Sequence, residues 1–361
     1  SNFMGKDGFQ WFVGVVEDRG DPQKLGRVRV RCLGYHTENI TDLPTSDLPW
    51  AHPMNPITSA TVSGVGQTPL GAVEGTWVVG FFQDGAECQQ PIIMGTLPGV
   101  PSGLPTKDAD KGFQDAVNAN YPKYVDEPDV NRLAVNNEDN PHPILTLRKA
   151  DRTTSIGRAD FNPIDIGRAN VGAPISLEGD DGTKFDEPLT DYKANYPHNH
   201  VYETEGGHIK EFDDTVNAKR IHERHASGSG YEILNDGTKI TRVKQDNYDI
   251  ITNDHFAHIQ GKSSSTTDKG VRVFVNASAT ASNDYTIQVG SNANVNIQVD
   301  KGDVNVVATQ GNVNMKAENM NVDITETFGV KCRTMNVEVN GTLKEIVTGE
   351  NTKTGKPINL N

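Results

Sequence analysis

Between Val295 and Val339 every second residue is apolar in runs of three: Val295/Ile297/Val299, Val304/Val306/Ala308, Val313/Met315/Ala317, Met320/Val322/Ile324, Phe328/Val330/Cys332 and Met335/Val337/Val339. The positions between them are mostly polar (Asn296, Gln298, Asn305, Asn314, Lys316, Asn321, Asp323). Side chains alternate faces along an extended chain, so each triplet predicts one short strand with a single buried face. The triplets begin 9, 9, 7, 8 and 7 residues apart, with Gly302, Gly311, Gly329 and Gly341 in the expected joints. A strand of about five residues and a corner of about three, repeated, is a β-solenoid pattern. An inner face made of Val, Ile, Met, Ala and one Phe is thin for one chain, which points to several chains sharing one core.

Proline marks where such a body can lie. Eighteen of the nineteen prolines fall at or before Pro197, and beyond Leu234 the only leucines are Leu343 and Leu360. Proline cannot donate to a sheet ladder, so the proline-free stretch rich in Val, Thr and Asn reads as one continuous β body. Apolar residues make up 35% of the chain and aromatics 7%, which suits repetitive β structure with narrow cores better than an ordinary globular enzyme. A net charge of −14 argues against nucleic acid or an anionic membrane as the main partner. No apolar run reaches membrane-spanning length and no secretory signal is visible. The three cysteines, Cys32, Cys88 and Cys332, have no paired spacing, so neither a disulfide framework nor a cysteine zinc site is expected.

Residues 9–97 read as a small closed β-barrel. Phe9–Asp18 is a strand ending in Gly20-Asp21-Pro22, Leu25–Arg31 alternates Arg27, Arg29 and Arg31 against Val28 and Val30, and Thr76–Phe82 and Pro91–Leu97 follow a proline-rich loop. The alternation places the three arginines on a solvated strand face that could serve as a docking patch. The runs Trp11–Arg19, Lys24–Val30, Leu48-Pro49-Trp50, Pro56–Ala60 and Gly71–Thr76 closely resemble the oligonucleotide/oligosaccharide-binding (OB) barrel of the central baseplate spike family of contractile-tailed, T4-like phages. In that family the barrel docks on the tail hub, which implies hub contacts here through Trp11, Arg27, Arg29 and Arg31. The chain lacks a basic groove with stacking aromatics, so a nucleic-acid role is not expected.

Residues 98–188 hold ten prolines with scattered Asp and Asn and no helical or strand period, the composition of an extended linker. Gly112-Phe113-Gln114-Asp115 and Tyr121-Pro122 resemble the spike family's linker. Some members carry a lysozyme domain in this position. Such a domain needs long amphipathic helices and a catalytic Glu–Asp pair, for which this stretch has neither period nor room. Glu127 and Asp129, flanking Pro128, read as solvated linker charges.

Tyr196–Thr215, Arg220–His225, Gly230–Ile233, Asp236-Gly237 and Asp246–Ile250 resemble the head of the triple-stranded β-helix in phage spikes and in the related valine-glycine-repeat spikes of type VI secretion. The repeat departs from the family's Val-x-Gly form, with Val289-Gly290 nearest to it. Seven of the ten histidines lie between His198 and His258, and the pairs His198/His200, His222/His225 and His255/His258 have metal-compatible spacings. They are read as hydrogen-bonded strand and corner residues. Asp213-Asp214-Thr215 reads as a turn, and Glu223 and Glu232 as surface strand residues. The His200–Asp214 run holds acids and histidines but no Ser or Cys in a nucleophile context, so no triad is expected; no catalytic residue, metal ligand or cofactor is assigned.

Together these readings predict an all-β chain with an OB-fold barrel (1–100), an extended proline-rich linker without a lysozyme domain (101–188) and a triple-stranded β-helix needle (189–361) formed by a homotrimer. The shared core is expected from Val295, Ile297, Val299, Val304, Val306, Val313, Met315, Met320, Val322, Ile324, Phe328, Val330, Met335, Val337 and Val339. The resemblance implies a non-enzymatic, membrane-piercing spike of a phage tail baseplate, assembled in the host cytoplasm. Its implied partners are a tail hub protein, a small capping protein at the C-terminal tip and, transiently, the host outer membrane. The alternatives are a type VI secretion spike and a receptor-binding tailspike that cleaves glycans.

Overall fold

Alternating apolar residues and tight turns build a five-stranded barrel first. The computed structural model describes residues 10–68, 71–100, 110–114, 128–135, 176–178, 184–186, 188, 190, 192–204, 208–267, 269–275, 284–352 and 354–355. Strands β1 (Gln10–Asp18), β2 (Val28–Cys32), β3 (Trp50–Pro53), β4 (Trp77–Phe82) and β5 (Pro91–Thr96) close in the order β1-β2-β3-β5-β4. All neighbours are antiparallel except β3 and β5, which run parallel. Four of the strands lie where hydrophobic alternation places them. The fifth, β3, arises inside the proline-rich loop and pairs with β2 at only two positions.

One face of each strand fills the barrel with Phe12, Val16, Val28, Val30, Cys32, Ala51, Val78, Phe82 and Ile93. Glycine sets how closely the strands approach. A Cβ at Gly80 would stand 2.1 Å from the Ile92 carbonyl oxygen and 2.6 Å from the Phe12 ring, so only glycine fits. Burial pushes the Cys32 thiol up to about 12, as expected of an inert packing cysteine.

Beyond the barrel, the described parts of 101–188 are short. They comprise residues 110–114, a single helical turn α1 (Arg132–Val135) and a hairpin of β6 (Ser176–Glu178) with β7 (Lys184–Asp186). Most of that segment, Glu127 included, lies outside the described residues. Asp129 accepts a hydrogen bond from the Gly99 amide at 2.8 Å and is therefore tied to chain rather than simply solvated.

The expected needle divides into two parts within one chain. Strands β8 (Asn199–Glu203), β9 (Ile209–Asp213), β10 (Arg220–Arg224), β11 (Gly230–Ile233) and β12 (Lys239–Arg242) pair with their sequence neighbours as an antiparallel meander. Asp213 accepts from the Thr215 amide at 2.9 Å, the turn its sequence implies. By contrast, the described residues of 243–355 form no strand with any part of the same chain. The chain separates into two compact units, residues 1–257 and 258–361.

Replacing Gly80 with Ala should lower barrel stability by about 1–3 kcal/mol, the usual cost of overpacking. The same change at Gly95, whose Cβ would meet nothing within 4 Å, should stay within about 0.5 kcal/mol. Denaturant melts followed by tryptophan fluorescence compare the two.

Candidate docking barrel and shaft

The barrel's outer surface begins with an ion pair. Arg31 of β2 and Glu17 of β1 face outward, yet both are buried. Arg31 Nε donates to Glu17 Oε1 at 2.6 Å and Nη2 to Oε2 at 3.1 Å, while Nη1 and Nη2 reach the carbonyls of Thr37 (2.7 Å) and Leu43 (2.8 Å). Glu17 also accepts from Thr45 Oγ1 (2.8 Å) and from the backbone amide of Phe113 (3.0 Å). The pair thus fastens the 37–45 loop and residues 110–114 across the outside of β1 and β2. A Cβ at Gly112 would lie 2.1 Å from Arg31 Nε, so glycine is what lets the strap close over the guanidinium.

The arginines therefore do not form the shared solvent face that their alternation suggests. Arg31 is fully buried. Arg29 stacks over Trp50 (4.5 Å) and donates to the carbonyls of Thr45, Ser46 and Leu48. Arg27, 5.6 Å from the same ring, is held by Asp21 at 2.7 Å. The Arg27 guanidinium in turn holds the Asp21 carboxyl well below the usual carboxylate range. What remains open is apolar: Trp11 is 52% exposed, with Leu33 and Tyr35 also exposed near it. Tyr35 Oη donates to the Trp11 carbonyl at 3.1 Å, and the indole meets Phe81 edge-on at 6.1 Å. Trp11 was legible in the sequence as a docking candidate; Leu33 and Tyr35, which lie in a turn, were not.

The second site is the shaft. The chain bends at 300–302, 309–311, 318, 325–326, 333, 340–341 and 348–349, and runs straight between. Each predicted triplet falls inside one straight segment, so the eight-residue rhythm is a physical succession of corners. Gly302 sits at a corner with φ 133°, a conformation that favours glycine. Gly329 does not mark a corner, because it lies between Phe328 and Val330 in a straight run. Within one chain the fifteen expected core residues, from Val295 to Val339, are each 45–74% exposed.

The histidine pairs do not converge. His222 is buried within β10, whereas His225 lies just past the strand's end and is exposed. His225 packs instead against His208, ring centres 4.5 Å apart, and His198, His200, His255 and His258 are exposed. Among the described residues no three His, Cys, Asp or Glu side chains are placed to hold a metal ion. Glu223 is exposed as expected, whereas Glu232 is fully buried, since its face of the sheet is the covered one.

Residues 35–160 match the family described as the Gp5 N-terminal OB domain. That match begins after β2 and runs on through the segment that straps the barrel. The chain is 39% identical over 287 residues to Protein Gp5 of Vibrio phage KVP40, covering 72% of this chain and 63% of that protein. It is 43% identical over 125 residues to the Pre-baseplate central spike protein Gp5 of Enterobacteria phage T4, covering 33% of this chain and 21% of that protein. The chain thus spans less than two thirds of the length of either relative.

Changing Arg31 to Met leaves Glu17 buried without its partner and should cost the barrel about 3–5 kcal/mol. Adding Glu17→Leu should recover much of that loss, because a buried ion pair can be replaced by packed apolar groups more cheaply than it can be halved. Thermal unfolding of the single and double variants measures the difference.

Proposed function

Starting from its kinship with the phage Gp5 proteins, we propose that the chain is the structural central spike of a contractile phage tail baseplate. In this reading three copies wrap into a triple-stranded β-helical needle that punctures the host outer membrane when the sheath contracts. The observation that carries the reading is the shaft: alternating apolar residues, set in straight segments between regular corners, with no ladder and no cover from the described residues of the same chain. A contiguous apolar surface of that extent marks an interface. The partner that matches an eight-residue rhythm along its whole length is the same rhythm in another copy. Three copies place the triplets on a common axis and give each backbone a neighbour to pair with.

The mechanical use follows from that geometry. A closed β body has no lateral edge to open, and each short strand is fixed by neighbours on other chains. Stiffness then comes from saturated backbone pairing rather than from a large core. The exposed Trp11, Leu33 and Tyr35 supply an apolar contact for a tail hub protein, with Arg27 and Arg29 at a distance from it and Arg31 withdrawn into the barrel. The open strand ends at the tip suit a small capping protein. The role is non-enzymatic, and the protein works in the virion after assembly in the host cytoplasm.

Val313→Asp should abolish the cooperative high-temperature melt, because three carboxylates would meet in a dry core. Asn314→Asp, one residue along and on the opposite face, should leave the melt within a few degrees of the parent. Equal effects at both positions would show that the triplets do not face a common axis.

A further inference from the structure

The β8–β12 meander buries the face that carries charge. Glu211 and Asp213 of β9, Arg220, His222 and Arg224 of β10 and Glu232 of β11 are all buried, while Tyr202, Phe212 and Ile221 on the other face are exposed. Register sets opposite charges side by side: Arg220 lies across from Asp213, and His222 across from both Glu211 and Glu232. The Arg220 guanidinium joins Glu211 (2.5 Å) to Glu232 (3.0 Å), and His222 Nδ1 is 3.1 Å from Glu211 Oε2.

Among the described residues, short pieces of chain cover this face: residues 131–135, 190 and 192–195. Their apolar contribution is small: Leu133, Tyr192 and Ala194 pack with Ile209 and the half-buried Val201. Polar bonds do the rest. Asn199 Nδ2 and Tyr192 Oη both donate to the Leu133 carbonyl at 2.9 Å, and Asn131 Nδ2 donates to Glu203 at 2.6 Å. Thr190 Oγ1 donates to Glu232, the Asn195 amide to Thr215 Oγ1 at 2.9 Å, and Arg220 sits 5.0 Å from the centre of the Tyr192 ring.

We propose that this charged face is an acid-sensitive clasp, with Arg220 as its hub, that holds residues 131–135, 190 and 192–195 against the meander. The clasp stands apart from the spike reading, since every contact in it lies within one chain. The face carries Glu203, Glu211, Asp213 and Glu232 with Arg220, Arg224 and Arg242, and His222 among them; among the described residues the covering segments add Asn131, Thr190, Tyr192 and the exposed Lys193. Burial alone would raise the Glu211 carboxyl, but the bonds from His222 and Asn199 and the charge of Arg220 outweigh it and hold the group below its ordinary value. A carboxylate lowered on folding contributes stability that is present above its unfolded value of 4.5 and lost as pH falls through the folded value. Burial pushes Arg224 down to about 10 against the pull of Glu203. Protonating Glu211 deprives the buried Arg220 of one of its two carboxylate partners. An apolar seam would carry no such proton linkage.

Amide hydrogen exchange of the full chain at pH 7 and pH 4, corrected for intrinsic rates, tests the clasp. Protection of amides 192–195 should fall about two- to fourfold in acid, the most that a carboxylate with an unfolded value of 4.5 loses at pH 4, while amides of Val15 and Val16 in the barrel stay protected. Thr190→Val removes a strap-side bond and alters no strand, so at pH 7 it should lower protection of 192–195 at least threefold and leave β9 and β10 unchanged. The clasp is refuted if 192–195 exchange alike at both pH values, lose protection only together with the barrel, or ignore the Thr190 substitution.

Discussion

A row of apolar side chains that the described residues of one chain leave uncovered governs this structure. From Val295 to Val339 the backbone bends every seven to nine residues and exposes the same apolar face in each straight segment. Isolated extended chain leaves its amides and carbonyls in water and its apolar face unpaid for, so it acquires a stable shape only by pairing with other strands. The rest of the molecule makes sense as what must be attached to such a shaft. In sequence a barrel and a meander precede it, each with short segments pinned against it.

Buried charge does the pinning. Glu17 and Arg31 bind the strap 110–114 over the barrel, and Glu232 and Arg220 meet Thr190 and Tyr192 over the meander. In both places the covering chain is short, polar and poor in bulky side chains, so apolar packing alone could not hold it. A buried ion pair is an indifferent source of net stability, because desolvation consumes most of the Coulombic gain. It does confine a flexible segment to one register, since any other placement strands a charge.

How far the sequence foretold this depends on which physical signal each residue carries. Period-two alternation located β1, β2, β4 and β5 and the six triplets, because local side-chain direction decides them. Asp213 and Thr215 announced their turn by the same local logic. The arginines of β2 misled, since alternation places Arg31 outside the barrel but says nothing of the loop and strap that later cover it. Glu232 failed for the same reason: polarity at alternate positions predicts a wet face, while the meander inverts that rule and leaves Tyr202 and Phe212 outside. Gly329 marked no corner because glycine permits a bend without requiring one. β3 hid among prolines, since its two-position pairing depends on its partners. The complementarity of Ile209–Asp213 with Arg220–Arg224 was a readable hint, acids and bases matching across a hairpin register.

The claim on which the account stands is that the shaft is completed by copies of its own chain. Sedimentation equilibrium of the intact protein measures this most directly. The account predicts a single species of three times 39.3 kDa that persists on dilution, and a monomer of 39.3 kDa with the shaft residues in place would contradict it.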